Sequence, residues 1–431
     1  MRKKKRKTLT LFVITFFLTI VIGASGMMVY YILQEKQAVS ETVSDGGAAM
    51  EAGPAGEAAP ANEADEMVSE MTYIDTDARP SEETPAEGEA QTESAAEPLA
   101  EIVTDQVGQA AVVFGGDVCF HDAYANMGSY VQRGSDIRNC ISPYLLAEMQ
   151  DADLCMVNNE FSYSDRGTPL ADKTYTFRSR PDNVNILRNM GVDIVSIANN
   201  HAYDYGPEAF LDTIQTLDGA GVRHVGGGEN LEKASEPVCF TVQNLKIGFV
   251  SATQIERTDN PDTKGATESA PGVLRCYSEK ELTHFLEVVE KAKEECDFLI
   301  AYMHWGTENT DAPDWAQPYQ AEKIAQAGAD LIVGCHPHCL QGLDVVEGAL
   351  VIYSLGNYWF NSKAMDTALL KVTVGEQGLE SVQIIAARQE NCSTKELGGD
   401  EKARVLGYLQ SLSPNVSIDT DGFVTWENCA E

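Results

Sequence analysis

Basic side chains are scarce in this sequence of 431 residues. Lys and Arg number 31 against 66 Asp and Glu, which gives a formal net charge of -35 at pH 7. Because proteins bind nucleic-acid phosphates mainly through Lys and Arg, this composition argues against a nucleic-acid partner. It also argues against docking on anionic lipid, except at the basic residues 2–7.

A zinc-ribbon spacing is absent, because the ten cysteines form no CxxC motif. An even number of cysteines outside the cell could form disulfides. However, Cys119 and Cys155 lie in apolar, strand-like runs and are predicted to be small buried hydrophobic residues. Cys392 and Cys429 are the pair that we would test first for a disulfide.

Charge is absent from residues 8–33, which are rich in Leu, Ile, Val and Phe and follow the basic segment 1–7. As a helix this run would reach about 39 Å, enough to cross a hydrocarbon core of about 30 Å. It predicts a single-pass anchor in the cell membrane, with residues 1–7 in the cytoplasm and the C-terminal domain extracytoplasmic. A cleaved signal peptide is the alternative, but the apolar run is longer than such a segment usually is.

Aromatic residues are nearly absent from residues 34–106, which consist mainly of Ala, Glu, Pro, Gly, Ser and Thr. Such a segment cannot bury enough apolar surface to offset the entropy lost on ordering. It is predicted to be a disordered acidic linker that holds the following domain away from the membrane.

From residue 107 onward, apolar runs alternate with amphipathic helical patterns, which is typical of an α/β domain with buried strands. Strands are predicted at 111–114, 154–157, 192–198, 298–303, 331–333 and 351–353. Helices are predicted near 181–190, 207–220, 279–295 and 315–327. The domain is expected to span 107–376, and 377–431 to form a C-terminal extension that packs on the core without contributing to a site.

Each of the six predicted strands runs directly into a cluster of Gly, Asn, Asp, Glu or His. In open α/β sheets, sites form at the carboxyl ends of the strands. Any one cluster could be a structural turn, because Gly, Asn and Asp favour turns. Six clusters that carry histidines and carboxylates are hard to explain as turns alone, so they are expected to converge on one crevice.

The side chains in these clusters include carboxylates, imidazoles and an amide, the donors that divalent metals bind. The candidate ligands are Asp117, Glu160, Asn200, His304, His336 and His338. The expected cofactor is one or two divalent ions, Mn, Fe, Zn or Mg. A carboxylate such as Glu160 could bridge two ions about 3.5–4 Å apart, an arrangement suited to displacement at phosphorus.

His201 directly follows a candidate ligand and is predicted to be a catalytic general acid, with Asp204 orienting it. His121 lies four residues beyond Asp117, about 13 Å along an extended strand, too far to share a metal unless the chain turns. Two further residues, Arg178 and Arg180, could bind an anionic substrate or simply lie on the surface.

The order and spacing of these motifs over 110–375 resemble the CapA/PgsA poly-γ-glutamate capsule synthesis family. The matching segments are Gly-Asp117, Asn159-Glu160, Ala198-Asn-Asn-His201-Ala-Tyr-Asp204-Tyr-Gly206, Met303-His-Trp-Gly-Thr-Glu308, Gly328-Ala-Asp-Leu-Ile-Val-Gly-Cys-His336-Pro-His338 and Tyr353-Ser-Leu-Gly-Asn357. That family resembles the calcineurin-like metallophosphatases. The resemblance therefore implies a four-layer αββα sandwich, preceded by one transmembrane helix and a disordered linker.

The same resemblance implies a role for each candidate. Asp117 and His338 would bind the first metal, Asn200, His304 and His336 the second, and Glu160 would bridge them. His201, supported by Asp204, would be the catalytic histidine. The chain departs from the phosphatase pattern at Cys119, where Asp-x-His has its histidine, and at Glu160, which replaces a bridging aspartate.

The function implied is that of a membrane-anchored, extracytoplasmic protein with a metal-dependent hydrolase-type site. It would serve the synthesis, export or attachment of poly-γ-glutamate or another anionic capsule polymer, with membrane synthase subunits as expected partners. Two alternatives stay open. One is a secreted metallophosphoesterase acting on phosphate esters, and the other is a non-enzymatic scaffold subunit of a membrane capsule synthase.

Overall fold

The computed structural model describes residues 108–256 and 263–427, which belong to a unit spanning 94–431. The predicted anchor at 8–33 and linker at 34–106 lie outside these residues. Within the two described ranges, no helix has both the length and the apolar character needed to cross a membrane.

Strands and helices alternate through the described ranges. In chain order the strands are β1 (Gln109–Val118), β2 (Leu154–Asn159), β3 (Ser162–Tyr163), β4 (Arg178–Ser179), β5 (Ile194–Ser196), β6 (Arg223–Val225), β7 (Gly227–Gly228), β8 (Val238–Val242), β9 (Leu245–Thr253), β10 (Gly272–Val273), β11 (Phe298–His304), β12 (Leu331–Cys335), β13 (Leu343–Val346), β14 (Ala349–Ile352), β15 (Asn357–Trp359), β16 (Met365–Gly375), β17 (Gly378–Glu390), β18 (Ser393–Glu396), β19 (Ser417–Ile418) and β20 (Val424–Thr425). The α-helices are α1 (Ala125–Gln132), α2 (Pro143–Gln150), α3 (Val184–Met190), α4 (Gly206–Ala220), α5 (Leu231–Ala234), α6 (Glu279–Glu295), α7 (Ala316–Gln326) and α8 (Gly399–Ser411).

Two large sheets organise these strands. The first has the order β18-β17-β16-β1-β2-β5-β6, with β15 also paired to β1, and the second has the order β13-β14-β12-β11-β9-β8. Strands β1, β2, β5 and β6 are parallel, as are β9, β11, β12 and β14. The six strands predicted from sequence are all present, but they divide equally between the two sheets. Strand β17, in the segment expected to be an extension, continues the first sheet beside β16.

The sheets pack face to face, and their side chains alternate with the period of two expected for strands. Val112 and Phe114 of β1 lie in one buried cluster with Ile300 and Tyr302 of β11, between the sheets. Val113, on the other face of β1, packs in a second cluster that includes residues of α1 to α4.

The outer face of the second sheet is covered in the same way. Leu299 and Met303 of β11 pack with Phe285 of α6 and Ile324 of α7. The layers are therefore helix, sheet, sheet and helix, and the mixed α/β fold expected from sequence is confirmed.

Helix α6 shows how local sequence sets the element boundaries. The Ser278 hydroxyl accepts from the backbone N of Glu281, and the Glu281 carboxylate accepts from the backbone N of Ser278. This capping box satisfies donors that the first turn would otherwise leave unpaired. Leu282, Phe285 and Val289 then recur at helical spacing on the buried face.

Strand β1 approaches the loop before β15 unusually closely at its carboxyl end. The backbone N of Asp117 donates to Gly356 O at 3.0 Å. A Cβ atom on Gly116 would collide with that same carbonyl oxygen. Glycine at 116 therefore allows Asp117 to reach the carboxyl edge shared by the parallel strands.

We expect Gly116→Ala to destabilise the fold by about 1–3 kcal/mol, because overpacking forces the backbone to shift. Gly128→Ala is the matched control, since an added Cβ there meets nothing within 4 Å and Ala favours helix α1. Urea unfolding of both variants measures the free energies. Equal unfolding free energies for Gly116→Ala and the wild type would show that the close approach is not tight.

Candidate metal centre

Polar side chains from the ends of both sheets meet in one cluster. Asp117 lies near the end of β1, Glu160 directly follows β2, and His304 is the last residue of β11. His336 directly follows β12, and His338 lies two residues further along the chain. Asp117, Glu160 and His304 are fully buried, and the side chain of His338 is 16% exposed. Buried polar groups at converging strand ends are typical of a binding site rather than of a packed core.

These side chains form overlapping groups whose ligand atoms lie within 4.8 Å of one another. Among the described residues the groups are Asp117/Glu160/His338, Glu160/His304/His336, Asp117/His304/Cys335 and Glu308/His336/His338. The first two share Glu160. The structure thus brings together the predicted carboxylate and histidine ligands, and their metal binding stays a prediction.

Asp117 is held by hydrogen bonds on both carboxylate oxygens. Its Oδ1 accepts from Asn158 Nδ2 at 2.8 Å, and its Oδ2 accepts from the backbone N of His336 at 3.3 Å. His338 Nδ1 lies 3.3 Å from Oδ2. Burial acts to raise the pKa of Asp117, but the hydrogen bond and charge of His338, with Asn158, lower it overall.

Glu160 is only half satisfied. Its Oε2 accepts from Asn158 Nδ2 at 3.2 Å, but Oε1 has no hydrogen-bond partner within the described ranges. Oε1 lies 3.9 Å from His304 Nε2 and 3.9 Å from His338 Nε2. Burial, followed by the negative charge of Asp117, raises the pKa of Glu160 well above its ordinary value.

Two of the histidines are held in the neutral form, which is the form that binds metals. Burial and the neighbouring His338 lower the pKa of His336 to about 3. Burial, followed by His336, lowers the pKa of His304 well below its ordinary value. His336 Nδ1 is buried without a hydrogen-bond partner in the described part of the chain.

His304 and Asn200 are in direct contact. His304 Nε2 lies 2.8 Å from Asn200 Oδ1, and His304 Nδ1 lies 3.3 Å from Cys335 Sγ. The Asn200 side chain therefore reaches the group formed by Glu160, His304 and His336. A site that combines an amide oxygen, neutral imidazoles and a carboxylate suits a divalent cation such as Zn²⁺, Mn²⁺ or Fe²⁺.

The backbone of the histidine segment is strained. His336 has φ +95° and His338 has φ +58°, a region that non-glycine residues rarely adopt. Such conformations persist only where the surrounding structure holds them, and they concentrate at functional sites. Here the His336 ring lies in a ligand group with Glu160, and the His338 ring lies in one with Glu160 and Asp117.

His201 and Asp204 form a buried pair beside the cluster. His201 Nδ1 lies 2.7 Å from Asp204 Oδ2, which also accepts from the backbone N of Phe177 at 2.7 Å. Lys173 Nζ lies 2.7 Å from Asp204 Oδ1, and the Phe177 ring stacks on His201 at 4.2 Å. Burial lowers the pKa of His201, although Asp204 opposes this effect. The pair has the geometry of an oriented imidazole that can exchange a proton.

Other candidates lie apart from the metal-ligand groups. His121 Nδ1 accepts from the backbone N of Arg178 at 3.1 Å, and Cys119 packs in the apolar cluster behind β1. The Arg178 guanidinium lies over the Tyr205 ring at 4.3 Å. Arg180 is exposed, 3.7 Å from an oxygen of Asp122.

Sequence reasoning missed several residues that touch the predicted ligands. Asn158 contacts both Asp117 and Glu160, and Asn357 Oδ1 lies 2.9 Å from His338 Nδ1. Asn158 directly precedes the matching segment Asn159-Glu160, and Asn357 ends the one that begins at Tyr353, so their position in the strand-end clusters was an available signal. Lys173 lies in a loop without periodicity, and no sequence signal indicated its contact with Asp204.

The geometry fits a divalent cation. A buried carboxylate oxygen and a buried imidazole nitrogen, Glu160 Oε1 and His336 Nδ1, both lack hydrogen-bond partners among the described residues. Leaving such groups unpaired costs free energy, which a bound cation would offset. The set of carboxylate, imidazole and amide donors therefore matches the ion that the sequence predicts.

Comparison with known families identifies one matching model, described as "Bacterial capsule synthesis protein PGA_cap", over residues 111–362. "PGA biosynthesis protein CapA" of Bacillus subtilis (strain 168) is 30% identical over 58% of this chain and 66% of the relative. "Capsule biosynthesis protein CapA" of Bacillus anthracis is 29% identical over 56% and 58%. "Probable polyglutamine synthesis accessory protein" of Mycobacterium tuberculosis is 27% identical over 48% and 55%. The chain thus spans between about half and two thirds of these curated relatives.

Among solved structures, a hypothetical protein from Thermus thermophilus aligns with a TM-score of 0.39 and 14% identity. The alignment covers 65% of this chain and 99% of that protein.

We expect Asn158→Ala to lower the free energy of unfolding of the metal-free protein by about 1–3 kcal/mol. The reason is that Asp117 and Glu160 each lose a buried hydrogen-bond donor. Asn189→Ala, at an exposed position of helix α3, should change stability by no more than about 0.5 kcal/mol. Chemical unfolding in the presence of a chelator measures the unfolding free energy of both variants. Equal losses of unfolding free energy would argue against a special role for Asn158.

Proposed function

This chain belongs to the PGA_cap family of bacterial capsule synthesis proteins, and we propose that it acts in producing an anionic capsule polymer at the cell surface. The names of its relatives in Bacillus and Mycobacterium refer to PGA, capsule or polyglutamine synthesis. We take poly-γ-glutamate, or a related anionic polymer, as the polymer concerned. The proposed role is accessory, in synthesis, export or attachment.

We further propose that the strand-end cluster is a metal-dependent hydrolase-type site like that of the calcineurin-like metallophosphatases. The observation that carries this proposal is the position of Glu160. Its unpartnered Oε1 lies 3.9 Å from a nitrogen of His304 and 3.9 Å from a nitrogen of His338. A buried carboxylate oxygen at equal distances from an imidazole of each proposed metal position suits a bridging ligand.

Each ion would have its own ligands besides the shared carboxylate. Asp117 and His338 would hold one ion, and His304, His336 and Asn200 the other. When bound, such a pair supplies an activated water and positive charge at the reacting oxygens. The protein contributes mostly buried ligands, and burial already favours the neutral form of His304 and His336.

His201 would move a proton at the leaving group. The contact of its Nδ1 with Asp204 fixes the ring orientation and tautomer, so that the second ring nitrogen can serve the substrate. Lys173 and the backbone N of Phe177 hold the Asp204 carboxylate in place. This arrangement supports catalysis by an oriented histidine rather than a purely structural role.

The net charge of the chain affects how it would encounter a polyanionic substrate. A net charge of -35 does not favour passive binding of a polyanion. The encounter would therefore depend on cations at the metal centre or on a membrane partner. Anchoring through residues 8–33, with the domain outside the cell, would place the site where capsule polymer is handled.

Metal analysis of the purified full-length chain tests the site directly. We expect up to two equivalents of divalent metal in the wild type and fewer in His336→Ala, because this variant removes a buried ligand. His284→Ala, on the partly exposed side of α6, is the control and should keep the wild-type content. Undiminished metal in His336→Ala would overturn the ligand assignment, and no metal in the wild type would overturn the site.

Catalysis has a separate test. His201→Ala should retain metal yet hydrolyse its substrate about 10²–10⁴-fold more slowly, the usual contribution of general acid catalysis. The assay compares bis(p-nitrophenyl) phosphate with poly-γ-glutamate. Turnover of the phosphate ester alone would favour a phosphoesterase, whereas metal without turnover of either would favour a scaffold. Full activity in His201→Ala would contradict the proposed role of this residue.

A further inference from the structure

Glu308 is the exposed member of the metal-ligand groups found among the described residues. Its carboxylate lies with ring nitrogens of His336 and His338 in a group whose ligand atoms are within 4.8 Å of one another. His336 also belongs to one of the two groups that share Glu160, and His338 belongs to the other. Glu308 therefore reaches a ligand of each proposed metal position.

The loop that carries Glu308 is tied to the histidine segment. The backbone N of Asn309 donates to Pro337 O at 2.8 Å, and Asn309 itself has φ +56°. Gln341 Nε2 donates to Thr310 O at 2.8 Å. The loop between β11 and α7 is thus held directly on the segment that carries the two histidines, so Glu308 does not depend on a mobile tether to reach them.

The charge balance of the proposed metal centre favours Glu308 as an additional ligand. Two divalent ions would bring four positive charges to a site whose buried carboxylates, Asp117 and Glu160, supply at most two negative ones. A third carboxylate would reduce the excess and add an oxygen ligand of the type that hard and borderline cations bind. The position assigned to Asp117, Glu160 and His338 has only three protein ligands, which leaves room for a further one.

We propose that Glu308 is a metal ligand that closes the centre on its solvent side. This inference rests on the metal site proposed above and adds a residue to it. The buried ligands fix where the ions lie, and Glu308 supplies a carboxylate that can exchange with solvent or substrate without disturbing the core.

Metal titration of the full-length chain tests this role without requiring any knowledge of the substrate. Wild type and Glu308→Gln are dialysed against graded free Mn²⁺, and bound metal is measured by elemental mass spectrometry. Glu308→Gln keeps the size of the side chain but removes its charge. We expect the affinity for at least one equivalent to fall by about 10–100-fold, at least the loss seen when supporting groups of metal sites are removed.

Glu347→Gln is the matched control, because Glu347 is an exposed acid between β13 and β14 and belongs to none of the groups. It should bind Mn²⁺ as the wild type does. Identical Mn²⁺ affinities for Glu308→Gln and the wild type would overturn the role of Glu308 alone. A wild type that binds no Mn²⁺ would instead overturn the metal centre itself, so the two failures are distinguishable.

A second feature, independent of the metal centre, is the pair Cys239 and Cys296. Cys239 lies in β8 and Cys296 directly follows α6, yet their Sγ atoms are 3.6 Å apart. Both side chains are partly exposed. Gly248, which pairs with Cys239 across β8 and β9, leaves the necessary space, because a Cβ there would collide with Cys296 Sγ.

We infer that these two thiols form a disulfide on exposure to a disulfide oxidant. The two sulfurs would need to approach by about 1.5 Å to reach bonding distance, a shift that side-chain rotation can supply. Both thiols lose their hydrogens, one S–S bond forms, and the two electrons and two protons reduce the oxidant to two thiols. The bond would fasten the edge strand β8 to the end of α6.

Peptide mapping tests the assignment on the full-length chain. After incubation with glutathione disulfide and alkylation in denaturant, we expect a cross-linked peptide pair containing Cys239 and Cys296. In Cys239→Ser, Cys296 should instead be recovered alkylated or joined to glutathione. Recovery of both cysteines alkylated from the oxidised wild type, or their linkage to other cysteines, would overturn the inference.

Discussion

The burial of two carboxylates, Asp117 and Glu160, at the edge where the sheets meet is the constraint on which the site depends. A buried negative charge is costly unless it is paired or neutralised. The surrounding His304 and His336 are held neutral by their own burial. Burial also acts to lower the pKa of His338, but the hydrogen bond and charge of Asp117 raise it overall, so His338 favours a positive charge beside Asp117. Asn158 donates to both carboxylates but leaves Glu160 Oε1 unpartnered among the described residues. A bound cation would give Glu160 Oε1 and His336 Nδ1 the partner that they lack among the described residues.

The fold creates this constraint through close backbone approaches. Parallel strands of both sheets end at the site, and Gly116 lets β1 lie against Gly356 O. Gly334 plays the same part in β12, because a Cβ there would collide with Tyr353 O and Trp305 Nε1. Between the sheets, Ser196 and Ser251 lie within hydrogen-bonding distance at 2.8 Å. These close approaches therefore fix the strand end that carries Asp117 and the one that precedes His336.

The sequence predicts much of the candidate site, since Asp117, Glu160 and His304 stand where apolar runs end. The division into two sheets was not readable from periodicity, because β2 and β12 are both short, fully buried runs and give the same pattern. Asn158 lies inside the β2 run, and the side to which its amide points depends on the register with β1. Pairings across long sequence separations, such as Lys173 with Asp204 or Cys239 with Cys296, depend on tertiary packing and left no local signal.

Anomalous diffraction from crystals of the protein grown with Mn²⁺ would test the two-metal centre, because it locates the ions themselves. A two-metal centre predicts two peaks about 3.5–4 Å apart, with Glu160 bound to both, Asp117 and His338 on one side and His304 and His336 on the other. Absence of any peak at Glu160, or peaks that do not contact this carboxylate, would contradict it.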